Sequence, residues 1–344
     1  MRHVLLLCLS LLLAGCKPPE ESPLKAIVGA VLIDGTGGPP ISDSVVTIEG
    51  SRIRAVGTRT SLPVPPAADK IDGAGKFLVP GLIDLHARLD ARAGRRSIER
   101  SLNQYLSSGV TSVRGEGRDL LAVRQAERQN ALLTARLFVA GRASNPGDVA
   151  ALAAQQVDAI ETGGRSPAVL EAILDESRKY RLPVIADIFS LADARLLLDN
   201  GAAGFLHMIQ DTEAIDPALI ARLRDLRLVF TPVLAAQEGA RREIAGRNTK
   251  RLAEGGVLIG AGSDGSTHRE LELLAEAGLS PAEVLTAATR NGALALGQLD
   301  QLGTVEPGKR ADLLLLSANP AEDARNLRKI DRIMLDGQWI DRER

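Results

Sequence analysis

The chain has 344 residues, with 42 Lys and Arg set against 43 Asp and Glu, and a formal net charge of -1. That balance, 2% aromatic content and the lack of a basic stripe interleaved with aromatics argue against nucleic acid as a partner. Its 2 cysteines, Cys8 and Cys16, both fall at the amino terminus, so the remainder of the chain has no disulfide to lean on and folds on its core alone.

In chain order, Arg2 and His3 precede an apolar run over residues 4–13, which closes on Leu13-Ala14-Gly15-Cys16. The run is shorter than the roughly 20 apolar residues of a membrane-spanning helix, so residues 1–15 read as a signal peptide. The L-A-G-C ending resembles the bacterial lipobox. That resemblance implies cleavage before Cys16, acylation of Cys16 as the lipid-attachment residue, and a membrane anchor outside the cytoplasm. Lys17 stands where an inner-membrane retention signal would place Asp, so in a Gram-negative host the expected location is the outer membrane, facing the periplasm. Residues 16–23, with Pro18, Pro19 and Pro23, form a stiff tether.

Residues 24–79 are β in pattern, with runs over 26–33, 44–49 and 52–56 punctuated by Gly-rich turns. Pro80-Gly81 then feeds an apolar strand, Leu82, Ile83 and Leu85, in which period-two alternation puts Asp84, His86 and Arg88 on one face. Strands over 110–113, 136–140, 157–161, 183–188, 204–209, 228–234 and 257–262 follow, with helices between them. One helix starts at Ser166-Pro167. Two others open on the capping boxes Thr267-His268-Arg269-Glu270 and Ser280-Pro281-Ala282-Glu283, which leaves His268 as an exposed first-turn residue near the barrel mouth. Strands over 311–316 and 329–335 end the chain.

This order predicts an α/β protein, a (β/α)8 TIM barrel over residues 80–298 inserted into a discontinuous small β-sandwich domain made of 24–79 and 299–344. In such a barrel the carboxyl ends of the strands carry function. They offer His86 and Arg88, Glu161, Asp187, His207 and Asp264. Each has an ordinary reading alone: Glu161 as a cap, Asp187 as a strand terminator, Ser263-Asp264-Gly265 as a turn. Together on one rim they suit a divalent metal with water completing its shell.

At these positions the sequence resembles the amidohydrolase superfamily, in particular its imidazolonepropionase-like and metal-dependent dipeptidase-like branch. The resemblance is carried by V-P-G-L-I-D-L-H (79–86), G-A-G-S-D-G (260–265) and L-G-T-V-E-P-G-K-R-A-D-L (302–313). It implies a hydrolase acting on carbon–nitrogen bonds of a small substrate, with His86, Glu161, Asp187 and His207 as metal ligands and Asp264 as base. The strand-one motif of that family has a second histidine where this chain has Arg88, and a strand-five histidine where it has Asp187. The resemblance therefore implies an incomplete site: one divalent metal at most, zinc first, or none. Arg88 is expected to replace the missing cation by a bidentate ion pair with Asp264 or Glu161, the alternative being that it turns outward to solvent or a substrate carboxylate. The alternative is a catalytically inactive relative that binds a small molecule or an envelope partner.

Overall fold

A computed structural model describes residues 24–90, 94–129 and 132–340; the signal peptide, Cys16 and the tether lie outside them. Five strands lead in: β1 (Lys25–Leu32), β2 (Ile41–Glu49), β3 (Arg52–Thr58), β4 (Asp69–Asp72) and β5 (Phe77–Pro80). β2 and β3 form a hairpin closed by the pair Glu49 and Arg52, with Gly50 at φ 57, a left-handed value that glycine takes without steric cost.

Eight parallel strands follow: β6 (Leu82–Ala87), β7 (Val110–Glu116), β8 (Arg136–Arg142), β9 (Ala159–Gly163), β10 (Val184–Asp187), β11 (Gly204–Leu206), β12 (Val229–Thr231) and β13 (Leu258–Ile259). The sheet closes on itself where Leu85 donates its backbone N–H to Ala261 (2.8 Å) and Asp264 donates to the His86 carbonyl (2.9 Å). A helix follows each strand: α1 (Arg95–Ser107), α2 (Leu121–Arg128), α3 (Pro146–Ala154), α4 (Pro167–Tyr180), α5 (Leu191–Asp199), α6 (Pro217–Asp225), α7 (Gly239–Glu254) and α8 (Thr267–Glu276). This is the expected (β/α)8 barrel. Proline stands at the first turn of α3, α4 and α6, where its missing N–H costs nothing. Two further helices, α9 (Pro281–Ala287) and α10 (Arg290–Ala295), close the far end, where Ala293 packs with Ile83, Leu85 and Phe138.

Several strands stop earlier than their apolar runs suggest. β11 ends at Leu206 because His207 turns left-handed (φ 64), and β12 ends at Thr231 because Pro232 has no N–H to give and Val233 is left-handed too (φ 50).

The last strands, β14 (Leu313–Leu316), β15 (Ile330–Leu335) and β16 (Gln338–Ile340), return to the opening sheet, and β14 pairs antiparallel with β5. Both ends of the described chain thus build one hydrogen-bonded sheet, in the order β16-β15-β14-β5-β1-β2-β3 with β4 beside β1. The four consecutive leucines of β14 explain how it sits on the barrel. Leu313 and Leu315 enter a small core with Ile27, Leu78 and Met334, whereas Leu314 and Leu316 enter the barrel's own core. A strand buried on both faces has no polar side to show.

Candidate active site

At the carboxyl end of the barrel the structure brings His86, Glu161, Asp187, His207 and Asp264 around one space. The His86 and His207 rings meet edge to face with centroids 5.7 Å apart, and His207 Nε2 lies 3.9 Å from Asp187 Oδ1. Phe189 stacks on the other side of His207 at 4.9 Å. Burial lowers the pKa of both imidazoles, and the carboxylates of Asp187 and Asp264 pull each of them back up. His207 and Asp264 both adopt left-handed backbone (φ 64 and 48), conformations that non-glycine residues seldom hold without support from their surroundings. Glycines make room for two of the others. A Cβ on Gly163 would fall 2.4 Å from Asp187 Cβ, and one on Gly262 would fall 2.9 Å from His86 Cβ.

Arg88 does not join this group. It is exposed, its backbone N–H donates to the Tyr105 hydroxyl (3.1 Å), and it lines a separate 240 Å³ cavity with Gln104, Ser266, His268 and Arg328. The ion pair expected of Arg88 is made instead by Arg142, whose Nη1 donates to Glu161 Oε1 (2.9 Å) and Nη2 to Asp187 Oδ2 (2.8 Å), with Glu116 Oε2 at 3.3 Å. The physical reason is register. β6 carries irregularities against β7 between Asp84 and Ala87 that break its period-two face, and β8 sets Arg142 directly across from Glu161. Below them Arg114 is buried, and desolvation lowers its pKa to about 10. Burial, followed by the Asp187 and Glu116 carboxylates, pushes Glu161 up to about 8, and Arg114 and Arg142 restrain that rise.

Asp84, on the same strand as His86, is an organiser of backbone rather than part of the open space. It is fully buried and accepts from the His86 N–H (3.0 Å), the Ser263 N–H (3.2 Å), Ser263 Oγ (2.6 Å) and Thr267 Oγ1 (2.6 Å). The capping box expected at 267–270 therefore does not form. Thr267 serves Asp84, the N-cap is Ser266 without a side-chain bond, and Glu270 is buried, its two oxygens accepting the N–H groups of Leu234 (2.9 Å) and Ala235 (2.7 Å). His268 is buried, not exposed, with Nε2 2.8 Å from the Ser108 carbonyl oxygen. The box at 280–283 does form.

The residues that sequence reasoning missed are Arg114, Glu116 and Arg142. The signal was present as period two: Arg114 and Glu116 continue one face of β7, and Phe138, Ala140 and Arg142 one face of β8 beyond the point where the apolar run stops.

One feature of the donor set suits a divalent cation. Asp187 Oδ1 is buried with no hydrogen-bond partner and faces His207 Nε2, an arrangement that a cation would satisfy. Glu161 and Asp187 Oδ2 already hold a guanidinium. Among the described residues no three His, Cys, Asp or Glu side chains stand ready to hold a metal, so a third ligand, from His86 or Asp264, requires a side-chain rotation.

Residues 218–340 match the profile of the Amidohydrolase family. The chain is 28% identical to an imidazolonepropionase of Ralstonia nicotianae, over 82% of this chain and 88% of the relative, and 24% identical to that of Alkaliphilus metalliredigens, over 92% and 97%. Among solved structures, a candidate prolidase from Bifidobacterium longum superposes with a TM-score of 0.82 at 26% identity, covering 93% of this chain and 95% of the other. Phenylurea hydrolase B superposes with a TM-score of 0.83 at 23% identity, covering 93% and 97%.

Proposed function

Because this chain belongs to the amidohydrolase superfamily, we propose that it hydrolyses carbon–nitrogen, amide-type bonds of a small substrate at the barrel mouth. The observation that carries the reading is the unpartnered Asp187 Oδ1 facing His207 across 3.9 Å, beside His86 and Asp264. A divalent cation held by Asp187 and His207, zinc by preference, would polarise the scissile carbonyl and acidify water. Asp264 acts as general base, taking a proton from the attacking water and returning it to the leaving nitrogen. His86 donates a hydrogen bond to the carbonyl oxygen as charge builds on it, or completes the cation's ligands. Asp84 keeps His86 and Ser263 in register beneath them.

A second reading, a non-catalytic binder of a small molecule or envelope partner, is favoured by Arg142, which occupies two of the acids. The two separate on turnover. Purified protein supplied with Zn(II) or Mn(II) should hydrolyse members of a panel of dipeptides, N-acyl amino acids and lactams, and Asp264→Asn should lower the rate by about 10²-fold or more. No hydrolysis above the Asp264→Asn level on any of them rejects the hydrolase reading.

The protein is also a lipoprotein, anchored through acyl groups on Cys16 to the outer membrane and facing the periplasm in a Gram-negative host. The L-A-G-C sequence and Lys17 support this. No helix among the described residues is long and apolar enough to cross a membrane.

A further inference from the structure

The ends of β8, β9 and β10 hold an ion cluster of which the hydrolytic reading uses only Asp187. Arg142 and Glu161 are directly opposed in the pairing of β8 with β9, and Asp187 lies at the end of the next strand. The cluster is thus built by sheet register and does not depend on a loop. The side chains of Glu161 and Asp187 are 3% and 9% exposed. Two carboxylates that deep cannot both ionise without a cation between them. The Arg142 guanidinium supplies it, with one nitrogen on each acid, a planar fork that matches two oxygens on neighbouring strands. Glu116 adds a third acid on the outer side. Arg142 leaves two oxygens of the pair, Glu161 Oε2 and Asp187 Oδ1, and of these Asp187 Oδ1 is buried without a hydrogen-bond partner and faces His207.

We propose that Arg142 is a resident cation of the barrel mouth, standing between Glu161 and Asp187 where a divalent ion bridging both would stand, so that metal is confined to Asp187 Oδ1 and His207. The inference rests on the mouth being the metal-binding site, and it makes Glu161 a partner of arginine and not a metal ligand. Arginine cannot ligate metal, having no lone pair to offer and staying protonated throughout the working pH range. The protein therefore has an acid pair bridged by one guanidinium in place of a second metal, and its cation count is set by that side chain.

Equilibrium dialysis against Zn(II) or Mn(II), with metal counted per folded chain, tests this in wild type, Arg142→Ala, Arg142→Lys and Glu161→Gln. Wild type should saturate at one equivalent and Arg142→Ala at two. Arg142→Lys, which keeps the charge, should stay at the wild-type count. Arg142→Ala strands two buried acids, so its melting temperature should fall without metal and recover on adding it. Glu161→Gln, which needs no such rescue, should keep the wild-type count. Two equivalents in wild type, equal counts in wild type and Arg142→Ala, or loss of metal in Glu161→Gln would each overturn the proposal. The count is read without substrate, so failure of hydrolysis leaves this inference standing, and failure of the count leaves the hydrolase reading standing.

Discussion

Ser263 and Thr267 each donate at 2.6 Å to the same oxygen of a fully buried Asp84. Replacing Thr267 by Val keeps the shape but leaves that oxygen with one donor, so it should cost about 1–2 kcal/mol in urea unfolding. A change below a few tenths would show the bond to be dispensable. His268 gives a pH signature. Burial lowers its pKa, while the Ser108 carbonyl pulls it back up. The folded protein holds the neutral ring, so the contribution of His268 is present above the unfolded value of about 6.5 and is lost as pH falls through the depressed folded value. Wild type should lose stability on acidification faster than His268→Gln; parallel curves would contradict that. Neither role was legible in sequence. Thr267, His268 and Glu270 satisfy a helix-start pattern, and only the fold shows that all three side chains are committed to partners on other elements.

At the scale of elements, β12 leads into Val233, a β-branched residue held left-handed at φ 50, and the two N–H groups that follow it are received by Glu270. Left-handed backbone costs a β-branched residue roughly 1–2 kcal/mol, so something must hold it. Glu270→Ala should remove that hold and strand one buried and one half-buried donor, lowering stability by roughly 2–4 kcal/mol. Hydrogen exchange should quicken first at Leu234 and Ala235; protection unchanged there would rule the role out. The close approach of β9 to Asp187 makes a second expectation. Gly163→Ala pushes a methyl against Asp187 and should weaken metal affinity by about 10-fold or more, as changes behind a ligand commonly do. Unaltered affinity would mean that Asp187 is not a ligand. The rhythm of strand and helix was readable because apolar runs and helix-start prolines recur in step, and α4 begins at the expected Ser166-Pro167. Strand ends were not, since His207 and Val233 leave the β region without any glycine to announce it.

For the whole molecule, the barrel and the discontinuous sheet share β14, whose leucines alternate between the two cores. The barrel was legible because its eight apolar runs are separate in sequence. What sits in its mouth was only half legible: the acids and histidines could be named, but the arginine that pairs with them depends on which strands are neighbours and in what register. The anchor is a further expectation at this scale. Cys16→Ser should abolish acyl labelling and release the protein from the membrane fraction; retention would refute the lipid anchor. The account as a whole stands on where a cation binds. A crystal of the full chain grown with Zn(II) and measured at the zinc edge should show a single anomalous peak beside Asp187 Oδ1 and His207, with the Arg142 guanidinium still between Glu161 and Asp187. A peak between Glu161 and Asp187 with Arg142 displaced, or a mouth with no peak at all, would contradict it.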